Sequence, residues 1–191
     1  MGDRWSFTER QTEIMTGIKE KSRARGLWNF FLTDGESGSG LNTIEYAYLA
    51  EEMGKSHLAA EAFNCSAPDT GNMEVLHKYG SEAQKEKWLK PLLNGEIRSA
   101  FAMTEPDTAS SDASNIQTRI TRDGDDYIIN GRKWWITNAA HPNCQLLIVM
   151  GKTNPDADTY HQQSMVLVPI DTQGVTVVRN VTVMNHLHPE G

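Results

Sequence analysis

The sequence predicts an α+β chain, with a helical segment to about residue 96 followed by an antiparallel barrel- or sandwich-like β-domain over 97–191. Three observations lead there. Capping signals followed by apolar residues at helical spacing fill the first half. Period-two alternation takes over after Gly95. Two turn dipeptides, Asp123-Gly124 and Asn130-Gly131, separate short apolar runs in the manner of hairpins.

Thr8 with Gln11 has the spacing at which a cap and the third helical residue satisfy each other's backbone amides. Ile14, Met15 and Ile18 give that helix an apolar face, and Gly26 is placed to end it. Asn42 with Glu45 starts a second helix, in which Tyr46, Leu49, Ala50 and Met53 repeat before Gly54 stops it. A third covers about His57 to Cys65, ahead of Pro68. Thr70 can cap a fourth that runs to Tyr79-Gly80. Ser81 with Gln84 opens a fifth, which holds Trp88 and Leu89 and is bent or ended at Pro91.

The expected strands are Arg98 to Met103, a run around Ile116, Thr118 and Ile120, Tyr127 to Ile129, and Lys133 to Thr137. Leu146 to Met150, Ser164 to Ile170 and Val175 to Val183 complete the set. A loop rich in Pro, Asp and Ser follows the first of them.

Composition narrows the function. Hydrophobic residues at 38% and charged residues at 23% are globular values in a 191-residue chain. A formal net charge of −7 argues against a nucleic-acid surface, which needs a basic patch. No apolar stretch approaches the roughly 20 residues that cross a bilayer. Met1 to Arg10 lacks the apolar core of a secretory signal and the Arg/Ser bias of an organellar presequence. Met1-Gly2 with Ser6 meets a myristoylation pattern too short to carry weight. Cys65 and Cys144, far apart, read as reduced, buried thiols in a reducing intracellular compartment. The glycosylation patterns at Asn64 and Asn180 then read as chance matches.

Several motifs have ordinary readings when taken singly. Gly35 to Gly40 lacks the Lys-Ser/Thr ending of a phosphate loop and reads as a connector. His186 and His188 have no third ligand nearby and read as solvated histidines, so no metal is expected. Trp134-Trp135 in a strand would place one ring on each face.

Their order changes the weighing. Phe101-Ala102-Met103-Thr104-Glu105-Pro106, then Ser110-Ser111-Asp112, then Lys133-Trp134-Trp135-Ile136-Thr137-Asn138, resemble the flavin-contacting stretches of the acyl-CoA dehydrogenase family. Upstream, Leu76 to Lys85 with Trp88-Leu89 and Gly95-Glu96, and Glu45-Tyr46 with Leu49 to Gly54, resemble that family's helices. The resemblance spans about Gly26 to Pro169. Most members have a glycine after Thr-Glu-Pro and another before Ser-Asp. Here Asp107-Thr108-Ala109-Ser110-Ser111 is one residue longer and has neither, which resembles the branch of vertebrate members ten and eleven.

The resemblance implies FAD as cofactor and α,β-dehydrogenation of a fatty acyl-CoA thioester. It implies cofactor-binding roles for Phe101, Met103, Thr104, Ser110, Ser111, Trp135 and Thr137. Met103 and Thr104 would serve the pyrimidine edge of the flavin, Trp135 an aromatic wall, and Thr137 the N5 side. Ser111 would touch the phosphates or the CoA chain. Either Ser110 or Ser111 fills the family serine position, and Ser111 is favoured because it directly precedes Asp112. No catalytic residue is expected here, because the family's glutamate base lies in a C-terminal helical bundle that this sequence does not contain. Glu105 belongs to the loop motif. The chain reads as an enzyme piece, inactive alone, incomplete at both ends, from a protein that is a homo-oligomer when whole. The alternative is a non-catalytic flavin-binding or subunit-pairing module. Acyl-CoA oxidase and flavin monooxygenase relatives share the layout. Family likeness places the protein in mitochondria or peroxisomes if eukaryotic, and in the cytoplasm if bacterial.

Overall fold

The computed structural model describes residues 8–33, 35 and 38–181, and the chain divides into two compact units, Met1–Ile97 and Arg98–Gly191. Met1, Gly2, Ser6, Glu36, Ser37, Val183, His186 and His188, on which some of the expectations above rest, lie outside the described residues.

The first unit is helical. Helix α1 (Glu9–Ala24) starts at Thr8 with the expected reciprocal cap, and Gly26 leaves it with φ +71°. α2 (Thr43–Met53) is capped by Asn42, whose side chain accepts from Ile44 N and Glu45 N. α3 (Ala59–Ala62) is shorter than expected, because Asn64 at φ +55° takes the chain out of helical geometry. α4 (Asp69–Tyr79) begins one residue before Thr70, which lies in its first turn instead of capping it. α5 (Glu82–Gln84) has the Ser81 cap and widens through a π-type turn (Lys85–Leu89) into α6 (Lys90–Leu93). Pro91 follows directly on the π-type turn, where Lys90 N bonds Lys85 O, and the helix continues past it.

Phe30, Phe31, Met53, Met73, Leu76, Leu89 and Leu92 form this unit's core. Asn29 and Asn64 are buried among them, both in left-handed backbone. Asn64 Nδ2 donates to Asn29 Oδ1 (2.7 Å) and to Leu92 O (2.9 Å), and Asn29 Nδ2 donates to Leu93 O (2.9 Å). The pair thus fastens the segment after α1 and the end of α3 to the end of α6. Burial pushes the Cys65 thiol up to about 11, against two backbone hydrogen bonds that favour the thiolate, so it is inert near neutral pH. Both cysteines are buried, and neither is in a disulfide.

The second unit is a sheet of β1 (Arg98–Ala102), β2 (Arg119–Asp123), β3 (Asp126–Asn130), β4 (Cys144–Lys152) and β5 (Gln163–Pro169). The fold class is as expected, but the sheet is mixed and not wholly antiparallel. β4 pairs antiparallel with β5 and β2 with β3, while β1 and β2 each run parallel to β4. β4 is central, which explains its unbroken apolar run: Leu146 and Ile148 are fully buried, and Leu147 and Val149 nearly so. Ala100, Ala102, Cys144, Leu147, Val149 and Val168 form one core layer, with Val166, Ile136 and Val175 packed against it.

The expected hairpin forms between β2 and β3, its turn made by Gly124 (φ +62°) and Asp125, one residue later than the dipeptide signal. Three other strand-level expectations fail. Asn130-Gly131 makes no hairpin: a Cβ on Gly131 would lie 2.1 Å from Thr118 Oγ1, so this glycine permits a close approach. Lys133 to Thr137 is irregular, because Trp135 has φ +54° and breaks any ladder. Residues 175–181 form no strand either; Val175 packs on the core, while Val177 and Val178 are exposed.

Candidate functional site

β1 leaves β4 opposite Val149, and β2 rejoins the same edge of β4 opposite Lys152. Residues 103–118 are therefore a loop let into one edge of the sheet. Glu105 closes its neck. The carboxylate, 5% exposed, accepts from the backbone amides of Gln117 (2.7 Å) and Thr118 (2.9 Å) and from the Thr118 hydroxyl. Lys133 Nζ adds an ion pair at 2.9 Å and also donates to Met103 O at 2.7 Å. Inside the loop, Glu105 N donates to the hydroxyl of buried Ser110.

Burial alone would raise the Glu105 carboxyl. The bonds from Thr118, Lys133 and Gln117 outweigh it and hold the group at about 2. Lys133 is pulled below its ordinary value by burial, partly offset by Glu105. Glu105 is thus a carboxylate at neutral pH, with each oxygen occupied.

Residues 133–138 run beside Ser99–Glu105 in the opposite direction. Trp134 N donates to Thr104 O (3.0 Å), and the Thr104 hydroxyl donates back to Trp134 O (2.6 Å). At the far end, buried Asn138 (φ +71°) donates from Nδ2 to Ser99 O (3.0 Å). Between these anchors stands Trp135. A left-handed backbone is costly for a bulky residue and persists only where its surroundings fix it. Its ring is about half exposed, as is that of Trp134, and the two are tilted at 5.8 Å between centroids.

The expected site residues separate into two groups. Trp135, Thr137 and Ser111 are exposed and available to a ligand. Phe101, Met103 and Thr104 are half-buried along β1 and just beyond it. The Thr104 hydroxyl proton is committed to Trp134, so Thr104 offers its backbone amide and hydroxyl lone-pair capacity. The Ser110 hydroxyl is turned into the loop. Asp112 is held below the usual carboxylate range by hydrogen bonds from Ser114, and it opens the 3-10 turn that follows Ser111. Among the described residues no cluster of His, Cys, Asp or Glu suits a metal, and no helix is long and apolar enough to cross a membrane.

Two family models match nearly end to end: acyl-CoA dehydrogenase, N-terminal domain, over residues 3–96, and acyl-CoA dehydrogenase, middle domain, over residues 100–187. The chain belongs to the acyl-CoA dehydrogenase family. It is 62% identical, over 89% of its length, to the Mycobacterium tuberculosis protein named Probable acyl-CoA dehydrogenase FadE2, and spans 41% of that protein. It is 53% identical, over 99% of its length, to mouse acyl-CoA dehydrogenase family member 10, spanning 18% of it. A solved Mycobacterium abscessus structure described as an acyl-CoA dehydrogenase superposes with a TM-score of 0.92 at 54% identity, over 98% of this chain and 45% of that one. Glutaryl-CoA dehydrogenase of Mycobacterium smegmatis, solved in complex with FADH2, superposes with a TM-score of 0.61 at 26% identity, over 88% of this chain and 47% of that one. The chain thus spans less than half of each of these relatives, and it matches the family's N-terminal and middle domains in order.

Sequence reasoning missed the support beneath the acyl-CoA dehydrogenase motifs. Glu105 and Lys133 stood in two separate motifs, and their opposite charges were the available signal. Thr118, Gly131 and Asn138 carried none, because their roles depend on contacts between distant segments.

Proposed function

We propose that this chain supplies the FAD-binding part of an acyl-CoA dehydrogenase that α,β-dehydrogenates fatty acyl-CoA thioesters. The observation that carries the reading is Trp135, an exposed aromatic in left-handed backbone, clamped at Thr104 and Ser99 and two positions from exposed Thr137. A surface aromatic held at such backbone cost fits a residue positioned for a ligand.

The residue types suit FAD, which supplies the hydride acceptor when bound. Trp135 would provide a flat wall, Thr137 a hydroxyl, and Met103 and Thr104 backbone amides, with Phe101 behind them in β1. Ser111 would reach the phosphates or the CoA chain, because Ser110 is spent within the loop. Glu105 is not the base. A carboxylate held at about 2 takes up a proton poorly near neutral pH, and its oxygens are already occupied. The base is then expected in a part of the longer relatives outside the matched region.

Replacing Trp135 and Thr137 together by alanine should weaken FAD binding by about tenfold or more, the worth of an aromatic contact and a hydrogen bond. Isothermal titration measures it, and circular dichroism verifies that the variant stays folded. Unchanged affinity in a folded variant would make both ordinary surface residues.

A further inference from the structure

We infer that Glu105, with Lys133 and Thr118, is a positioning unit that sets the flavin-facing surface before any ligand arrives. The inference rests on the FAD reading above and adds a role for residues that need not touch FAD at all. Glu105 lies where the two ends of its loop meet each other, through Gln117 and Thr118 just ahead of β2, and meet the 133–138 segment through Lys133. Lys133 is bonded to Met103 O as well, so the residue that begins the Trp-Trp segment is fixed against both ends of the turn into the loop.

Each connection constrains an exposed site residue. Lys133 immediately precedes Trp134, whose two bonds with Thr104 lead directly into the strained Trp135. Glu105 N reaches Ser110, the neighbour of Ser111. The contacts are tight: Gly131 has no room for a Cβ because Thr118 stands against it. Loosening Glu105 should therefore release Trp135 and Ser111 together, although they belong to different segments. Bound groups are held well only where the supporting residues are themselves locked.

The test compares the wild-type chain with Glu105→Ala, Glu105→Gln and Thr118→Val, using FAD itself as the probe. Amide hydrogen exchange without FAD should show residues 103–118 and 131–138 losing protection together in Glu105→Ala, with the helical unit unchanged. FAD affinity should fall at least about tenfold in Glu105→Ala, as it does when supporting residues are removed from other preorganised sites. Glu105→Gln, which keeps the size and one acceptor oxygen, should recover part of that loss. Thr118→Val removes one bond at constant shape and keeps the test valid if Glu105→Ala does not fold; it too should bind FAD more weakly. Wild-type affinity in a folded Thr118→Val or Glu105→Ala would overturn the inference, and so would loss of protection in only one of the two segments. Failure of the wild-type chain to bind FAD would instead contradict the FAD reading, and the inference would fall with it.

Discussion

Removing the Asn64 side chain should destabilise the helical unit by about 3 kcal/mol, a large fraction of what a small domain has. Asn64 is 2% exposed and donates to Asn29 Oδ1 and Leu92 O. In Asn64→Ala the Asn29 Oδ1 loses this donor in a dry interior, at about 1–3 kcal/mol, while Leu92 O keeps its bond from Gly95 N. Alanine must also hold φ +55°, which costs roughly 1 kcal/mol more. Asn64→Gly removes the side chain but tolerates the backbone, so it should recover that last part. Urea unfolding followed by far-ultraviolet circular dichroism measures both variants. A loss below about 1 kcal/mol in Asn64→Ala would mean that the buried pair is not what fastens α3 to α6.

Glu105→Ala should cost the β-unit about 3–5 kcal/mol, because it leaves a mostly buried ammonium without its counter-charge and two backbone amides without their acceptor. The same contacts make the unit acid-sensitive. The folded carboxyl lies near 2, against an ordinary value of 4.5, so the unfolded chain takes up the proton first as pH falls. The stabilisation is fully present above about 4.5 and is lost progressively as pH drops toward 2. Denaturant midpoints at neutral pH and near pH 3 check this. The wild-type chain should lose on the order of 2 kcal/mol between them, and Glu105→Gln should lose less. Equal losses would show that Glu105 does not set the acid limb.

What could be read from the sequence follows the range of each interaction. The caps at Thr8, Asn42 and Ser81 act within a single turn and were legible. The apolar run of β4 marked a buried strand, but not the direction of its neighbours. Parallel pairing of β1 with β4 is decided across the 41 residues between them, by where the loop 103–118 leaves and re-enters the sheet. Asn130-Gly131 has the composition of a turn. Its glycine instead accommodates Thr118, which only the folded chain brings near. Trp135 belongs to a recognisable motif, yet its left-handed backbone is imposed by anchors at Thr104 and Ser99 that no local pattern announces. The exposed residues of the candidate site were thus readable one by one. The frame that holds them was not.

The 133–138 segment and the loop 103–118 are expected to form one preset flavin-binding surface. Titration of the purified wild-type chain with FAD, followed by visible absorption and calorimetry, tests it most directly. Saturable binding at one site per chain is expected, with the flavin spectrum perturbed and the perturbation reduced in the Trp135/Thr137 double variant. No saturable binding by a folded chain, or binding with a spectrum indifferent to Trp135, would contradict the account.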